Sequence, residues 1–220
     1  MVYLDNAATS YPKPEVVYER VNHILRYIGG NPGRSGHRMA MEASRIIFEA
    51  RETIARLFNI QDSSRIVFTK NATEGINLVL KGLLRPGGHV VTTTLEHNAV
   101  AHPLRRLERG GVKVTRVSAT REGYIKPDDV ENTVRRETRL VAVVHASNVL
   151  GTILPVGEIG EICRQKGIPL MVDAAQTAGA IPIDVEAMKI DILVATGHKA
   201  LFGPQGTGFV SIRDGIEPLP

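Results

Sequence analysis

Lys199 is the residue whose setting in the sequence is most unusual. It follows a predicted apolar strand, residues 191–196, in the turn Gly197-His198-Lys199. Lysines ordinarily lie on exposed helix faces, whereas this one follows the end of a strand and has glycines on both sides of it in the sequence. Burial lowers the pKa of a lysine and makes its neutral amine available as a nucleophile. Lys199 is therefore a candidate for covalent catalysis.

Asp173 is the second residue in such a position, because it ends the apolar predicted strand 169–173. An acid after an apolar strand is costly to bury unless it has a partner. That partner could be a metal ion, a ribose or a protonated ring nitrogen. An ordinary helix N-cap is the alternative interpretation. Gln176 follows one helical turn later.

A candidate anion site follows the predicted strand 66–69, in the run from Thr69 to Gly75. The backbone N–H groups at a helix start, together with the Thr73 hydroxyl, can bind an anion. An ordinary N-cap by Asn71 or Thr73 would use the same residues. The run is not a Walker loop, since the Gly-Lys-Ser/Thr ending is missing.

Two further strands are followed by polar side chains. His97 comes after the predicted strand 89–93, and Asn148 comes shortly after the strand 140–145. Each alone is compatible with a cap or a turn. Together with the other strand ends they supply an anion cradle, an imidazole, an amide, an acid and a lysine. Pyridoxal phosphate (PLP) uses all of these, because it needs a lysine for its Schiff base and an acid for its pyridinium nitrogen.

These residues need a sheet whose strand ends meet. Short apolar segments alternate with helical ones, which predicts an α/β fold with a mostly parallel sheet covered on both faces. Ligands of such sheets bind at the carboxyl ends of the strands. A plain nucleotide-binding domain is the alternative, but no Gly-x-Gly-x-x-Gly follows the first strand. The remaining predicted elements are helices near 14–28, 38–58, 73–84, 99–108, 128–136 and 156–166, and strands at 112–117 and 208–212.

The composition excludes several classes of protein. The 220 residues, 43% of them hydrophobic, can bury a full core, and the net charge of +4 comes without any nucleic-acid-binding motif. Neither a signal peptide nor a membrane-length apolar run is present, so we expect a cytoplasmic protein without a membrane partner. Cys163 is the single cysteine, which excludes an internal disulfide. Its place on the apolar face of helix 156–166 predicts a buried, structural thiol.

The motifs resemble those of the class V aminotransferase family, and within it the cysteine desulfurases and selenocysteine lyases. The most specific are Val172-Asp173-Ala174-Ala175-Gln176 and Gly197-His198-Lys199. The resemblance extends from Tyr3-Leu4-Asp5-Asn6-Ala7-Ala8-Thr9 to Gly203-Pro204-Gln205-Gly206-Thr207-Gly208. It implies the large domain of a fold type I PLP-dependent transferase, with a mixed, mostly parallel sheet of about seven strands between helices. Residues 1–13 would form an N-terminal arm and residues 14–220 the PLP-binding domain.

The resemblance also implies a role for each matching residue. Lys199 would form the Schiff base, and Asp173 would pair with the ring nitrogen. The other implied contacts are His97 stacked on the ring as a second catalytic residue, Gln176 and Asn148 near the phenolic oxygen, Ala72, Thr73, Thr196 and His198 at the phosphate, and Asn31 and His37 in a loop at the mouth of the site. No metal is implied. Thr196 stands where a serine is common, and Ala72 where some relatives have threonine.

The implied reaction converts L-cysteine to L-alanine and leaves sulfur on the enzyme. The sequence does not distinguish cysteine from selenocysteine or cysteine sulfinate as the substrate. It also leaves open another class V reaction, such as transamination, or a non-catalytic PLP-binding module. A homodimer and a sulfur-acceptor protein are further implied partners. Family members also carry a small domain with a substrate-binding arginine and, in desulfurases, a sulfur-accepting cysteine. Both would lie beyond Pro220, so we expect this chain to lack the small domain.

Overall fold

A seven-stranded sheet organises the computed structural model, which describes residues 2–34 and 36–218. The strand order is β1-β7-β6-β5-β4-β2-β3. Strands β2 to β6 pair in parallel, whereas β7 is antiparallel to both β6 and β1. The predicted mixed, mostly parallel sheet is therefore confirmed. The strands are β1 Ile66–Thr69, β2 His89–Thr93, β3 Lys113–Val117, β4 Thr138–Val144, β5 Leu170–Asp173, β6 Ile192–Thr196 and β7 Gly208–Ile212.

Most helices begin and end within a residue or two of the predicted positions. The helix predicted over 128–136 is the exception, because it ends at Thr133. Val134 has left the helical region, and the hydroxyl of Thr138 accepts the N–H of Arg135 at 2.7 Å, which turns the chain toward β4. The helices are α1 Glu15–Tyr27, α2 Arg38–Phe58, α3 Ala72–Leu83, α4 Asn98–Arg109, α5 Pro127–Thr133 and α6 Val156–Lys166.

Both faces of the sheet are covered, as the predicted strands require. Ile76 of α3 and Val100 of α4 belong to the core on one face. Phe58 of α2 and Ile159 of α6 belong to the core on the other face. Cys163 lies in that second core with 1% of its surface exposed, so its predicted burial is confirmed. None of the helices in the described part of the chain has the length and apolarity that a membrane crossing requires.

Helix α3 lies very close to the sheet at its first turn, and glycine makes this possible. A Cβ atom at Gly75 would overlap the side chain of Val210 on β7, and a Cβ at Gly208 would come within 2.9 Å of the Asn71 backbone. The start of α3 therefore packs onto the same edge where β6 ends. This is also the edge at which β2, β4 and β5 end.

Candidate active site

A cleft opens at the carboxyl edge of the sheet and contains about 480 Å³, its open mouth included. Of the residues predicted to contact a cofactor, all except His198 line it. The lining comprises Asn71, Ala72, Thr73, His97, Ala99, Val144, Ala146, Asn148, Asp173, Ala175, Gln176, Thr196 and Lys199.

The start of α3 forms one side of the cleft. Asn71 caps the helix, since its Oδ1 accepts the N–H of Glu74 at 2.9 Å. The N–H groups of Ala72 and Thr73 have no acceptor among the described residues, as is usual for the first turn of a helix. The sequence left an N-cap and an anion site as alternative interpretations of this segment. The structure is compatible with both, because the Asn71 cap leaves the N–H groups of Ala72 and Thr73 available to an anion. Buried Thr196 adds a hydroxyl at the end of β6.

Asp173 and Lys199 provide the charges of the cleft. Asp173 is 2% exposed, and its Oδ1 accepts the N–H of Ala175 at 2.9 Å. Burial raises the pKa of Asp173, whereas the Ala175 N–H and the nearby side chains of His97 and Lys199 lower it. Burial lowers the pKa of Lys199, and Asp173 opposes that shift. The cleft thus offers a buried anion to a cationic ligand atom and an amine that loses its proton more readily than an exposed lysine does.

The imidazole of His97 lines the cleft from the start of α4. Its Nδ1 accepts the N–H of Ala99 at 3.1 Å, so His97 is the N-cap of α4 as well as a wall of the cleft. Asn148 is exposed at the rim. The amide of Gln176 donates to the carbonyl oxygen of Ala7 at 3.1 Å, which ties the N-terminal segment to the site.

Three predicted site residues lie outside the cleft. The Nδ1 of His198 is 3.1 Å from the Thr9 hydroxyl. His37 caps α2 by accepting the N–H of Ala40 at 3.3 Å, and Asn31 is exposed. Neither of these two residues lines the cleft. Ser35, in the same predicted loop, is outside the described residues.

Glu96 is a feature of the site that sequence reasoning gave no role. Its Oε1 accepts the hydroxyl of Thr93 at 2.7 Å and the N–H of Val144 at 3.1 Å. Its Oε2 is buried without a hydrogen-bond partner among the described residues. Burial, the largest cause, together with the charge of Asp173, raises the pKa of Glu96 to about 8. The sequence pattern that singled out Asp173, an acid that comes with a buried strand, also applies to Glu96, which follows β2.

Comparison with known proteins agrees with this geometry. The sequence profile of the family described as Aminotransferase class-V matches residues 2–219. The chain belongs to the class V aminotransferase family. The family implies PLP as the cofactor, which is the ligand that the strand-end residues predicted.

Cysteine desulfurases are among the curated relatives in this family. The chain is 40% identical to the cysteine desulfurase IscS of Shewanella denitrificans and covers 53% of it, with 96% of this chain aligned. It is 39% identical to IscS of Dictyoglomus turgidum and covers 56% of it, with 99% of this chain aligned. The chain therefore spans about half the length of the curated relatives it matches.

Solved structures give the same result. SspA in complex with cysteine superposes with a TM-score of 0.94 at 35% identity, over 100% of this chain and 64% of that protein. The apo cysteine desulfurase of Thermococcus onnurineus NA1 superposes with a TM-score of 0.91 at 36% identity, over 97% of this chain and 54% of that protein. At these identities the likeness extends beyond the fold.

Proposed function

We propose that this chain binds PLP through Lys199 and is the cofactor-binding part of a cysteine desulfurase, which converts L-cysteine to L-alanine and enzyme-bound sulfur. The observation that carries the proposal is that Lys199 and Asp173 line one cleft whose other side is the free start of α3. Residues 14–218 would hold the cofactor, with residues 2–13 as an arm beside it. The relatives named cysteine desulfurases support this choice of reaction.

The residues present fit the cofactor at its phosphate end. The free N–H groups of Ala72 and Thr73, the helix dipole of α3 and the hydroxyl of Thr73 make a set of donors for an anion. The hydroxyl of Thr196 donates to the Thr207 carbonyl oxygen at 3.4 Å and would have to rotate to join them. A phosphate contact by His198 would require its imidazole to turn away from Thr9.

They also fit the ring. The buried carboxylate of Asp173 would pair with a protonated ring nitrogen, and His97 would pack against the ring face. Gln176 and Asn148 carry amides that can donate to a phenolic oxygen. Lys199 would hold the cofactor covalently.

In the proposed reaction, bound PLP supplies an electron sink. Lys199, with its lowered pKa, would take the proton from the substrate Cα atom and return it. Asp173 would keep the proton on the ring nitrogen, since a carboxylate favours a neighbouring cation. The substrate would be L-cysteine or selenocysteine.

Cys163 does not serve as the sulfur acceptor in this proposal. Sulfur transfer needs a thiolate that reaches the substrate sulfur. Cys163 is buried under α6, and burial raises its pKa to about 12. The accepting thiol, an arginine for the substrate carboxylate, a second subunit and a sulfur-acceptor protein would come from outside the residues described.

Transamination to a keto acid, catalysed by another class V enzyme, is the second candidate reaction. A non-catalytic PLP-binding module is the third possibility. These three functions are separated by the products that form from L-cysteine when the protein and its accepting thiol are both present. Alanine with persulfide supports desulfuration, a keto acid supports transamination, and no product with PLP bound supports the module.

The proposed attachment is tested by borohydride reduction of the 220-residue chain in the presence of PLP, followed by digestion and mapping of the modified peptide. We expect the label on Lys199 and its loss in Lys199→Ala. Lys166→Ala is the matched control, because Lys166 is an exposed lysine paired with Glu131 at 2.8 Å. A label on another lysine, or none on the folded chain, would contradict the assignment.

A further inference from the structure

We propose that Glu96 is a positioning residue of this site, a neutral carboxylic acid. It joins the His97 loop, residues 94–97 between β2 and α4, to the end of β4, and it leaves the negative charge of the cleft on Asp173. The inference rests on the proposed function for its meaning, because it concerns how the PLP site is held. Glu96 does not line the cleft, so it acts through the residues that do.

The hydrogen bonds of Glu96 join two strand ends. Its Oε1 accepts one bond from Thr93, the last residue of β2, and one from the N–H of Val144, the last residue of β4. Glu96 is the residue before His97, which is in turn held at α4 by its bond to Ala99. The His97 loop is therefore fixed on both sides.

The same bonds place Glu96 next to Asp173. Val144, whose N–H Glu96 accepts, is the register partner of Asp173 in the adjacent strand β5. Two carboxyl groups thus lie at neighbouring strand ends in a buried setting. Two close buried carboxylates repel each other, so one of the pair keeps its proton.

The two acids differ in their surroundings, and the difference selects Glu96 as the neutral one. Asp173 has Lys199 and His97 beside it, both of which favour its ionised form. The Oε1 of Glu96 accepts two hydrogen bonds, while its Oε2 lies buried without a partner among the described residues. Desolvation of that oxygen opposes ionisation, and no cation is among the groups that shift the pKa of Glu96.

A neutral Glu96 has a consequence for stability. Folding raises its pKa from 4.5 to about 8, so between these values the folded chain holds a proton that the unfolded chain has lost. The stability of the folded state therefore falls as the pH rises through this window. Glu96→Gln keeps the shape and both acceptor bonds but cannot ionise, so it should not show this fall.

The first experiment compares the melting temperature of the 220-residue chain without PLP at pH 5 and pH 8. We expect the melting temperature of the wild type to fall relative to that of Glu96→Gln by at least about 5 °C between the two pH values. His97, His145, Asp173 and Lys199 face the same region and are present in both proteins, so the difference isolates Glu96. Exposed Glu158→Gln is the control and should follow the wild type. If the melting temperatures of wild type and Glu96→Gln change in parallel with pH, the proposal that Glu96 is neutral is overturned.

Infrared spectroscopy gives an independent readout of the proton. The difference spectrum of wild type minus Glu96→Gln at pH 7 should contain the band of a protonated carboxylic acid, which the difference with Glu158→Gln should lack. A carboxylate band instead would overturn the proposal. Neither this nor the melting experiment requires the cofactor.

The positioning role is tested by PLP affinity, measured by visible absorption. Glu96→Ala removes the acceptor for both bonds and should weaken binding about 10-fold, the equivalent of one or two hydrogen bonds, whereas Glu96→Gln should stay within about twofold. If Glu96→Ala does not fold, Thr93→Val removes one of the two bonds to Glu96, together with the bond that the Thr93 hydroxyl accepts from the Leu95 N–H at 3.1 Å, and should weaken binding at least about threefold. Wild-type affinity in the folded Glu96→Ala or Thr93→Val variant would overturn the positioning role. If no variant and no wild type binds PLP, the proposed function fails, and the melting and infrared results still decide whether Glu96 is neutral.

Discussion

His198 and Thr9 are 189 residues apart in the sequence, yet the Nδ1 of His198 lies 3.1 Å from the Thr9 hydroxyl oxygen. The same hydroxyl donates to the His198 carbonyl oxygen at 3.1 Å. Because its single proton is used there, Nδ1 of His198 is the donor in the first contact. Ser10 and Lys13 also donate to this carbonyl, from the Ser10 N–H and the Lys13 Nζ, both at 3.2 Å. The N-terminal segment thus holds the turn that presents Lys199.

Thr9→Val is therefore expected to loosen the Lys199 turn. Loss of these bonds should destabilise the chain by about 1 kcal/mol, which lowers the melting temperature of a chain of this size by about 2–4 °C. PLP affinity should also fall, because Lys199 would be less well placed. Thr53→Val is the control, since that hydroxyl also donates to a carbonyl, of Glu49 at 2.8 Å, but on an exposed helix face. Equal PLP affinity in both variants would show that the arm does not position Lys199.

The contrast between Lys199 and Thr9 explains how much of the site the sequence could predict. Lys199, Asp173 and His97 each follow an apolar strand, and parallel strands end at one edge, so local pattern was sufficient to bring them together. The contact between Thr9 and His198 has no local signal, because it depends on how a segment without helix or strand packs. The bond that the Val144 N–H donates to Glu96 requires β2 to neighbour β4, and that order is set by long-range pairing.

The end of α5 and the strand β7 show the same limit in the fold. The predicted helix continued to Arg136 because its residues are polar and helix-compatible. The hydroxyl of Thr138 instead binds the Arg135 N–H, a competition that helix propensity does not include. The direction of β7 relative to β6 was likewise left open by composition, which indicated only a mostly parallel sheet.

Gly75→Ala tests whether the anion site at the start of α3 depends on the close approach of this helix to the sheet. The added methyl group would overlap Val210 and press on Val194, so the helix must shift. We expect a loss of about 1–3 kcal/mol in the free energy of unfolding and weaker binding of PLP. Gly157→Ala is the matched control, because this helical glycine in α6 has open space around it. It should stabilise the chain by up to about 1 kcal/mol through helix propensity. If the two substitutions have similar effects on stability and on PLP binding, the anion site does not depend on this close approach.

Asp173→Asn separates the role of this residue in binding from its role in folding. Burial raises the pKa of Asp173 above 3.8, so part of the stability of the apo chain is lost as the pH rises past that value. Asparagine cannot ionise and should remove this loss, which leaves the apo melting temperature at pH 7 equal or higher. PLP affinity should fall about 10-fold or more, because a charge-assisted bond to the ring nitrogen is worth about 1.5–3 kcal/mol. Exposed Asp129→Asn should change neither quantity. Unchanged affinity in Asp173→Asn would mean that Asp173 serves only as a cap for Ala175.

The 220-residue chain by itself is expected to release no sulfur from L-cysteine above the level of Lys199→Ala. Cys163 is 1% exposed, and its pKa of about 12 leaves almost no thiolate at pH 7. A thiol reagent should therefore modify Cys163 only after unfolding, with the rate in denaturant as the reference. Sulfide and persulfide are measured for the PLP-loaded wild type, Lys199→Ala and Cys163→Ala, with each variant first shown to be folded. Alanine keeps the site apolar, so any change in this variant reports the thiol and not a buried hydroxyl. Release that depends on Lys199 and disappears in Cys163→Ala would contradict the burial argument and make Cys163 the sulfur acceptor.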